Sequence, residues 1–223
     1  MRKRSGRMLA SKWVKTAALL SNREVAMHIP ATRVLSPGNL RGMLAAYGMV
    51  VIKPIRGAGG LGVIKVTKHG GRYSAKYMSQ TRTFRSFSLL YRHLGRIRRR
   101  RAYLIQKGIH LATIGGRPID YRVKFVKKAG GWRFRSMVGR LARPGLFVTN
   151  LCRGGSRMSA AQGIRRSLSP GQVDVKKQEM RHLTQVATSI LETRFPGIGQ
   201  LGYDYGIDQK GHIWILEVNT RPQ

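Results

Sequence analysis

Two carboxylates and an amide near the carboxyl end of the chain have the types and spacing of a metal site. Asp204 and Glu217 fall on two predicted strands joined by the turn Asp208-Gln209-Lys210-Gly211, so they can face each other on one side of a hairpin. Asn219 follows Glu217 by two residues and therefore shares its face. Carboxylate and amide oxygens are hard ligands that suit Mg²⁺, which often bridges substrate phosphates. The alternative is a surface hairpin with incidental acids.

A glycine-rich loop supplies a second constellation. The run Gly57-Ala58-Gly59-Gly60-Leu61-Gly62 matches G-x-G-x-x-G, and Lys53 lies just before it at the end of a predicted strand. β-Branched residues follow the loop, whereas a dinucleotide-binding loop would open a helix. A Walker loop lacks its GK[ST] ending here, and the other protein-kinase motifs are absent. The loop can still lay backbone N–H groups on phosphates beside the Lys53 cation. The alternative is an ordinary glycine hairpin.

The charge of the chain limits the classes of protein it can belong to. Its 223 residues carry 43 Lys and Arg against 8 Asp and Glu, a formal net charge of +35. Hydrophobic residues make up 42%, which excludes disorder as the main state. Cys152 is the one cysteine, which excludes a disulfide scaffold and fits a reducing compartment such as the cytoplasm. No apolar run is long enough to span a bilayer.

The excess of positive charge predicts attraction to polyanions in general. The basic residues are dispersed, and the densest group is Arg96 with Arg98-Arg99-Arg100-Arg101. This group is either a solvated helix end or a polyanion-binding patch, and charge alone does not choose between them.

Hydrophobic periodicity and turn residues predict an α+β chain of hairpins and helices. We expect a glycine-loop hairpin over 49–66, an apolar helical stripe over 83–101, and the clearest helix at 173–194. The predicted helices are 1–24 (basic), 39–47, 83–101 and 173–194. The predicted strands are 28–32, 49–52, 63–66, 72–78, 103–106, 119–126, 132–142, 146–150 within a loop region of 144–171, 202–207 and 212–218.

These motifs, in this order and spacing, resemble the ATP-grasp superfamily, and within it the YheC/YheD-type proteins associated with endospore coats of Bacillus-like bacteria. The similarity runs from about residue 25 to the end of the chain. The matching strings are Ile29–Thr32, Ile52–Pro54 with the glycine loop, Tyr103–Ile109, Gly116–Val123, Thr149–Leu151 with Gly154-Gly155, Gly202–Asp208 and Trp214–Pro222.

The resemblance implies an ATP-grasp fold, in which two α+β subdomains grip ATP. It implies a glycine-loop subdomain over about 49–105 and a metal-binding subdomain over about 106–223, both within a domain of 25–223. Residues 1–24 form a basic extension, and the N-terminal domain that usually precedes this fold is not expected.

The resemblance also assigns roles residue by residue. Lys53 would contact the α- and β-phosphates, and the loop with Gly57, Gly59, Gly60 and Gly62 would close over the phosphates. Gln106, Lys107 and Ile109 would line the adenine pocket, with Asp120 near the ribose or the metal. Asp204, Glu217 and Asn219 would hold Mg²⁺. Arg122, Arg140 and Asn150 would steady the transferred phosphoryl group and the acyl-phosphate.

The implied reaction is the activation of a carboxylate by ATP, followed by attack of an amine or another nucleophile. The basic surface suggests an acidic peptide or polymer as the acceptor. Gln200 stands where relatives often have Glu, which removes one carboxylate near the metal hairpin. Two alternatives remain: a nucleotide-binding pseudoenzyme with a structural role in spores, and a polyanion-binding protein on an inherited fold. The resemblance places the protein in the cytoplasm or at the spore coat.

Overall fold

Two β-sheets with helices packed against them build the protein. The computed structural model describes residues 7–99 and 101–222, so Met1–Gly6 of the predicted basic helix and Arg100 of the arginine cluster lie outside the described residues. Helices alternate along the chain with the strands of each sheet, which confirms the α+β class. Among the described residues, no helix combines the length and the apolar character needed to cross a bilayer.

The first sheet and its helices, here called the first lobe, lie within residues 32–107. The sheet has the strand order β1-β6-β2-β3-β4-β5, and all its pairings are antiparallel. Leucines of two helices pack with Ile52, Ile64 and Val66 in a single apolar core. The elements are β1 (Thr32–Val34), α3 (Pro37–Tyr47), β2 (Met49–Pro54), β3 (Ile64–His69), β4 (Arg72–Tyr77), β5 (Gln80–Phe84), α4 (Phe87–Arg98) and β6 (Tyr103–Lys107).

The second sheet and its helices form the second lobe. Its strand order is β10-β9-β8-β11-β12, and β7 pairs with β8 beside this path. The long helix α6 buries Met180, Leu183, Ala187 and Leu191 against the sheet, in the 3–4 rhythm that predicted it. The elements are β7 (Thr113–Ile114), β8 (Arg117–Lys128), β9 (Gly131–Leu141), a 3₁₀ turn (Leu151–Arg153), β10 (Ser156–Ser159), α5 (Ala160–Ser167), α6 (Gln172–Arg194), β11 (Gln200–Ile207) and β12 (Ile213–Asn219).

The N-terminal segment differs from the single basic helix expected over 1–24. It contains two short helices, α1 (Lys12–Leu19) and α2 (Arg23–Ala26). The hydroxyl of Ser11 accepts a hydrogen bond from the Val14 N–H and so starts α1 at Lys12. Arg7 and Leu9 bind the second lobe instead: the Arg7 N–H donates to the Gly197 carbonyl at 2.8 Å, and the Leu9 N–H donates to Thr220 Oγ1 at 2.9 Å.

The segment 144–171 also differs from expectation. The strand predicted at 146–150 is wrong, because the strand of this region is β10, which pairs with β9. Helix α5 follows directly and was not predicted. Its apolar face is only Ala160, Gly163 and Ile164, too short a stripe to stand out in the sequence. Gly163 packs so tightly that an added Cβ would lie 2.8 Å from Ile119 Cδ1.

Most of the other predicted elements agree with the structure to within a few residues. The exceptions are β1, which begins at Thr32 where the strand predicted over 28–32 ends, and the short strands β5 and β7, which were not predicted. The 49–66 hairpin is β2 and β3, and the terminal hairpin is β11 and β12. The helix expected at 83–101 is α4, which starts only after Phe84 has ended β5. The subdomain boundary predicted at 105/106 falls inside β6, and β1 and α3 pack with the first lobe.

Candidate functional site

A cavity of about 780 Å³ lies between the two lobes and collects the residues singled out from the sequence. The first lobe contributes its glycine loop and strands, and the second lobe contributes one face of its sheet. Among the predicted site residues, Gly62 does not line the cavity. Those that line it are Lys53, Gly57, Gly59, Gly60, Gln106, Lys107, Ile109, Asp120, Arg122, Arg140, Asn150, Asp204, Glu217 and Asn219.

Four charged side chains form one ion network on the sheet of the second lobe. Strand register brings them together, because Asp204 lies opposite Arg122 and Asp120 lies opposite Arg140. Arg140 donates to both carboxylate oxygens of Asp120, at 2.7 and 2.5 Å, and its Nη2 lies 3.0 Å from Asp204 Oδ1. Arg122 Nη2 donates to Asp204 Oδ2 at 3.0 Å, and its Nε binds Oδ1. The two arginines therefore hold both carboxylates in place.

The network fixes the charge of Asp204. Burial opposes its ionisation, but Arg140 and Arg122 outweigh burial and hold the pKa of Asp204 below its ordinary value. Asp120 shares Arg140 and faces the Asp204 charge as well. Burial is the largest influence there and raises the pKa of Asp120, although Arg140 opposes the shift. Asp204 is thus the carboxylate that keeps its negative charge most firmly.

Glu217 pairs with a cation that the sequence analysis did not assign to the site. It lies opposite Asp204 on the hairpin, as predicted. Its Oε1 is 3.4 Å from the Nζ of Lys12, the first residue of α1. Lys12 Nζ also donates to the Gly57 carbonyl at 2.5 Å, and the Lys12 N–H donates to Ile55 O at 3.0 Å. Lys12 therefore links the glycine loop of one lobe to the carboxylate of the other.

Lys53 lies fully buried at the inner end of β2. Its Nζ donates to Gln106 Oε1 at 2.8 Å and to the Leu216 carbonyl at 2.7 Å. Gln106 is itself held, because its Nε2 donates to Thr32 Oγ1 at 2.9 Å. Burial lowers the pKa of Lys53 to about 8, with Glu217 opposing the shift and Lys12 adding to it. Because burial disfavours the charged form of Lys53, contact with a phosphate group would stabilise that charge.

The glycine loop requires glycine and touches the second lobe. Gly57, Gly59, Gly60 and Gly62 all have positive φ, between 67° and 145°. A Cβ on Gly60 would lie 2.6 Å from Asn150 Oδ1, so the loop meets the Asn150 side chain closely. The Gly59 carbonyl accepts a hydrogen bond from Arg153 Nε at 3.0 Å. Gly62 packs away from the cavity, where an added Cβ would lie 2.6 Å from the Tyr103 hydroxyl.

The segment after β6 forms the opposite end of the cavity. Lys107 Nζ lies 5.4 Å from the ring centroid of Tyr47 and 5.3 Å from that of Trp214. The Lys107 N–H donates to the Ala31 carbonyl at 2.8 Å. Ile109 contributes an apolar wall. Tyr47 and Trp214 hold Lys107 from outside the cavity, whereas Ile109 and Leu111 give this part of the lining an apolar surface that a flat apolar group could contact.

The donor set for a metal consists of two carboxylates and one amide. Within residues 7–99 and 101–222, no group of three or more His, Cys, Asp and Glu side chains is clustered for a metal. Asn219 lies beside Asp204, with its Nδ2 3.4 Å from Oδ2. Each carboxylate oxygen has two acceptor directions, and both are used on each oxygen of Asp204: Arg122 and Arg140 contact Oδ1, and Arg122 and Asn219 contact Oδ2. Asp204 would therefore have to release one of these contacts to bind a cation. Together with Glu217, these hard oxygens fit Mg²⁺ chemically.

Some residues at the site were missed by the sequence analysis. Lys12 was considered only as an interruption of an apolar N-terminal stretch, and the signal that could have identified it is the Ser11-Lys12 start of a helix. Arg153 does not line the cavity but donates to the Gly59 carbonyl, and the sequence carried no signal for it because this contact depends on how the lobes meet. Gln200 begins β11 and does not line the cavity, so the expected loss of a carboxylate there does not alter it.

Comparison with known proteins identifies a protein family and two curated relatives that the chain is similar to. Residues 5–223 match the protein family described as "YheC/D like ATP-grasp". The chain is 30% identical over 220 residues to the endospore coat-associated protein YheD of Bacillus subtilis (strain 168), covering 95% of this chain and 48% of YheD. It is 27% identical over 226 residues to YheC of the same organism, covering 97% of this chain and 61% of YheC. The chain thus spans about half the length of the curated relatives it matches.

Solved structures share the fold at low sequence identity. A carboxyaminoimidazole ribonucleotide synthase from Aspergillus clavatus, complexed with ATP, superposes with a TM-score of 0.63 at 14% identity, covering 97% of this chain and 46% of the synthase. D-alanyl-alanine synthetase A from Vibrio cholerae superposes with a TM-score of 0.57 at 14% identity, covering 96% and 56%.

Proposed function

The chain belongs to the YheC/D-like ATP-grasp family, and from that premise we propose that it is an ATP- and Mg²⁺-dependent ligase. In this proposal ATP binds between the two lobes, a carboxylate is activated as an acyl-phosphate, and an amine or another nucleophile then attacks it. The general ligase assignment agrees with neighbours of the same fold that are synthases and synthetases. The donor carboxylate and the acceptor belong to the proposal.

One observation carries this proposal. The cavity gathers four cations, Lys12, Lys53, Arg122 and Arg140, around the carboxylates of Asp204 and Glu217. Of the side chains that the structure describes, ten Lys and Arg line the cavity against three carboxylates, an excess of positive charge that suits a triphosphate, and a bound Mg²⁺ would supply positive charge to the carboxylates. The glycine loop adds backbone N–H groups on the phosphate side.

The residues of the chain divide the work in the reaction that we propose. A carboxylate oxygen of the donor attacks the γ-phosphorus, the bond to the bridging oxygen of ADP breaks, and an acyl-phosphate forms. The amine then attacks the acyl carbon, phosphate leaves, and the amine loses a proton. Each guanidinium has five N–H donors, so Arg122 and Arg140 retain donors for the phosphoryl oxygens beyond those that bind Asp120 and Asp204. Positioning and cationic stabilisation supply most of the catalysis in such transfers.

Mg²⁺ would be held by Asp204, Glu217 and Asn219 and would neutralise charge on the phosphate oxygens. For that, Lys12 has to give up its contact with Glu217 and turn toward the phosphates. In this proposal Asn150, which lines the cavity beside Gly60, would donate to the transferred group. Gln106, Lys107 and Ile109 line the end of the cavity that we assign to the adenine.

A second candidate function is a coat protein that binds nucleotide without turning it over. Its support is that Asp120 and Asp204 already engage both arginines, and that YheD and YheC are named for their association with the endospore coat. In both proposals the protein works in the cytoplasm or at the coat of a forming spore.

Trapping the activated carboxylate separates these two functions. We would incubate the protein with ATP, Mg²⁺, a panel of candidate carboxylates that includes an acidic peptide, and hydroxylamine in place of the amine, and measure both ADP and hydroxamate. The ligase proposal predicts that the two products form in equal amounts and that Arg140→Ala abolishes both. Saturable ATP binding without ADP or hydroxamate, across a panel of carboxylates, would instead support the nucleotide-binding coat protein.

A further inference from the structure

The first lobe carries an extreme charge imbalance of its own. Residues 32–107 contain 17 Lys and Arg and no Asp or Glu. Its arginines therefore have no carboxylate partner within the lobe. Four of them, Arg82, Arg85, Arg92 and Arg96, are exposed and form no ion pair with any carboxylate in the described part of the chain. Such a group needs solvent counterions or an acidic partner.

These four arginines surround a groove on the outside of the lobe. The groove encloses about 300 Å³ and shares no residue with the cavity between the lobes. Its floor consists of the half-buried rings of Phe84 and His93, whose centroids lie 5.1 Å apart. Burial lowers the pKa of His93, and Arg82 and Arg96 lower it further, as expected for a strongly positive environment. The lining residues are Arg82, Thr83, Phe84, Arg85, Leu89, Arg92, His93 and Arg96.

One wall of the groove is an open sheet edge. Strand β5 is the last strand of its sheet and pairs only with β4 among the described strands. In an antiparallel pair, alternate residues direct their N–H and C=O groups away from the partner strand. The two-residue turn that pairs Tyr77 with Gln80 predicts that Thr81 and Thr83 are those residues. The other wall is α4, where Leu89, Arg92, His93 and Arg96 follow helical spacing along one side.

We infer that this groove binds an extended acidic peptide segment, which adds as a further strand to β5 and directs its carboxylates to the arginines. Addition of a strand to an exposed edge beside a helix is an established mode of peptide binding, in which the backbone gives affinity and side-chain pockets give specificity. The inference concerns a site outside the cavity and holds whether or not the protein is a ligase.

The same residues argue against the other occupants. A second copy of β5 would bring Arg82 and Arg85 against their equivalents, and like charges on adjacent strands repel. Nucleic acid would use the arginines but would leave the strand edge unpaired. The groove also offers one pair of half-buried rings, Phe84 and His93, whereas single-stranded nucleic acid binds a series of exposed aromatic rings.

A labelled peptide of alternating Glu and Thr tests the inference by fluorescence anisotropy in about 0.15 M salt, where long-range attraction is already screened. Arg92→Glu/Arg96→Glu on α4 should weaken binding at least about tenfold, since like charges replace attraction in the groove. The matched control is Arg165→Glu/Arg166→Glu at the end of α5, which makes the same charge reversal at two exposed arginines away from the groove. It should change the dissociation constant less than about twofold.

The strand addition has its own test on the unaltered protein. A peptide of the same sequence with alternate backbone nitrogens methylated keeps its charge but loses its donors on one edge, and it should bind at least about tenfold more weakly. Equal binding of the two peptides would overturn the inference and indicate a polyanion held by charge alone. Equal weakening of peptide binding by the two double arginine variants would overturn it as well. So would polyuridine RNA binding that is weakened by Arg92→Glu/Arg96→Glu and not by the control, with no such loss for the peptide.

Discussion

At the scale of single residues, the buried carboxylates of the cavity pair with arginine and lysine side chains of the protein itself. Arg140 lies between Asp120 and Asp204, and Lys12 neutralises Glu217. Buried charges are tolerated only when paired, so each of these side chains depends on its neighbour. Lys53 differs from these pairs, because burial lowers its pKa to about 8 and its two hydrogen bonds go to uncharged oxygens.

Lys53 makes the affinity for ATP depend on pH. Its pKa is about 8 in the free protein, and phosphate contact requires the charged form. Below pH 8 the affinity should be flat; above it, binding must take up a proton, so affinity should fall by up to about tenfold per pH unit. Isothermal titration between pH 7 and 9.5 measures this slope.

Two lysine variants identify the group responsible for that slope. Lys53→Arg should flatten the profile, because arginine stays charged throughout this range. Lys15 also has its pKa lowered to about 8, chiefly by burial, but it lies outside the cavity, so Lys15→Arg should keep the slope. A profile that flattens only in Lys15→Arg would contradict the placement of Lys53 at the phosphates.

Arg140 should matter for stability as well as for chemistry. Arg140→Ala leaves the buried Asp120 without an arginine and Asp204 with Arg122 alone, and breaking a buried ion pair in this way costs about 3–5 kcal/mol. Chemical denaturation measures the loss. Arg135→Ala removes an exposed arginine from the same strand and should change the free energy of unfolding by no more than about 0.5 kcal/mol. Similar losses in both variants would contradict the buried network.

At the scale of elements, the site depends on two hairpins that meet. The β2–β3 hairpin carries the glycine loop, and the β11–β12 hairpin carries Asp204 and Glu217. The loop contacts the second lobe at Asn150 and Arg153, so its backbone shape determines how the lobes close on a ligand.

Gly60→Ala should therefore weaken nucleotide binding more than it weakens the fold. Gly60 has φ +71°, a conformation that costs an L-residue about 1–2 kcal/mol, and its new Cβ would also meet Asn150 Oδ1. We expect ATP affinity to fall about tenfold, because the loop can relieve the contact with Asn150 only by leaving the conformation in which it meets the second lobe. Gly70→Ala is the matched control, because Gly70 has φ +55° with nothing within 4 Å. It should lower the melting temperature while ATP affinity stays unchanged.

The sequence predicted these elements where local chemistry decides them. The Asp208–Gly211 turn fixes the pairing of Ile207 with Ile213 and so made the hairpin predictable. Asp204 lies opposite Glu217 only because a β-bulge between Asp204 and Tyr205 shifts the register by one residue, and no local pattern in the sequence predicted that bulge. Helix α6 has seven buried residues at regular spacing and was equally clear. Helix α5 was not foreseen, because Gly163 serves a close contact with Ile119 and Tyr121 that only the folded chain provides.

At the scale of the whole molecule, the site is a joint product of the two lobes and the N-terminal segment. Lys12 reaches Gly57 in one lobe and Glu217 in the other. The sequence could not place Lys12 there, because a helix that bridges two lobes leaves no local pattern. The net charge of +35 adds a general attraction for any triphosphate, so tests of the site have to be made where that attraction is screened.

The most direct test of the central claim is calorimetric titration of ATP, with and without Mg²⁺, in about 0.3 M salt, where the Debye length is short. Wild type should bind in a Mg²⁺-dependent manner, and Glu217→Gln should weaken that binding by on the order of tenfold, since it removes one charged ligand. Glu179→Gln, on α6 and paired with Lys176, should bind as wild type does. Equal, metal-independent binding by all three proteins would contradict the account and leave only the attraction of a polycation for a polyanion.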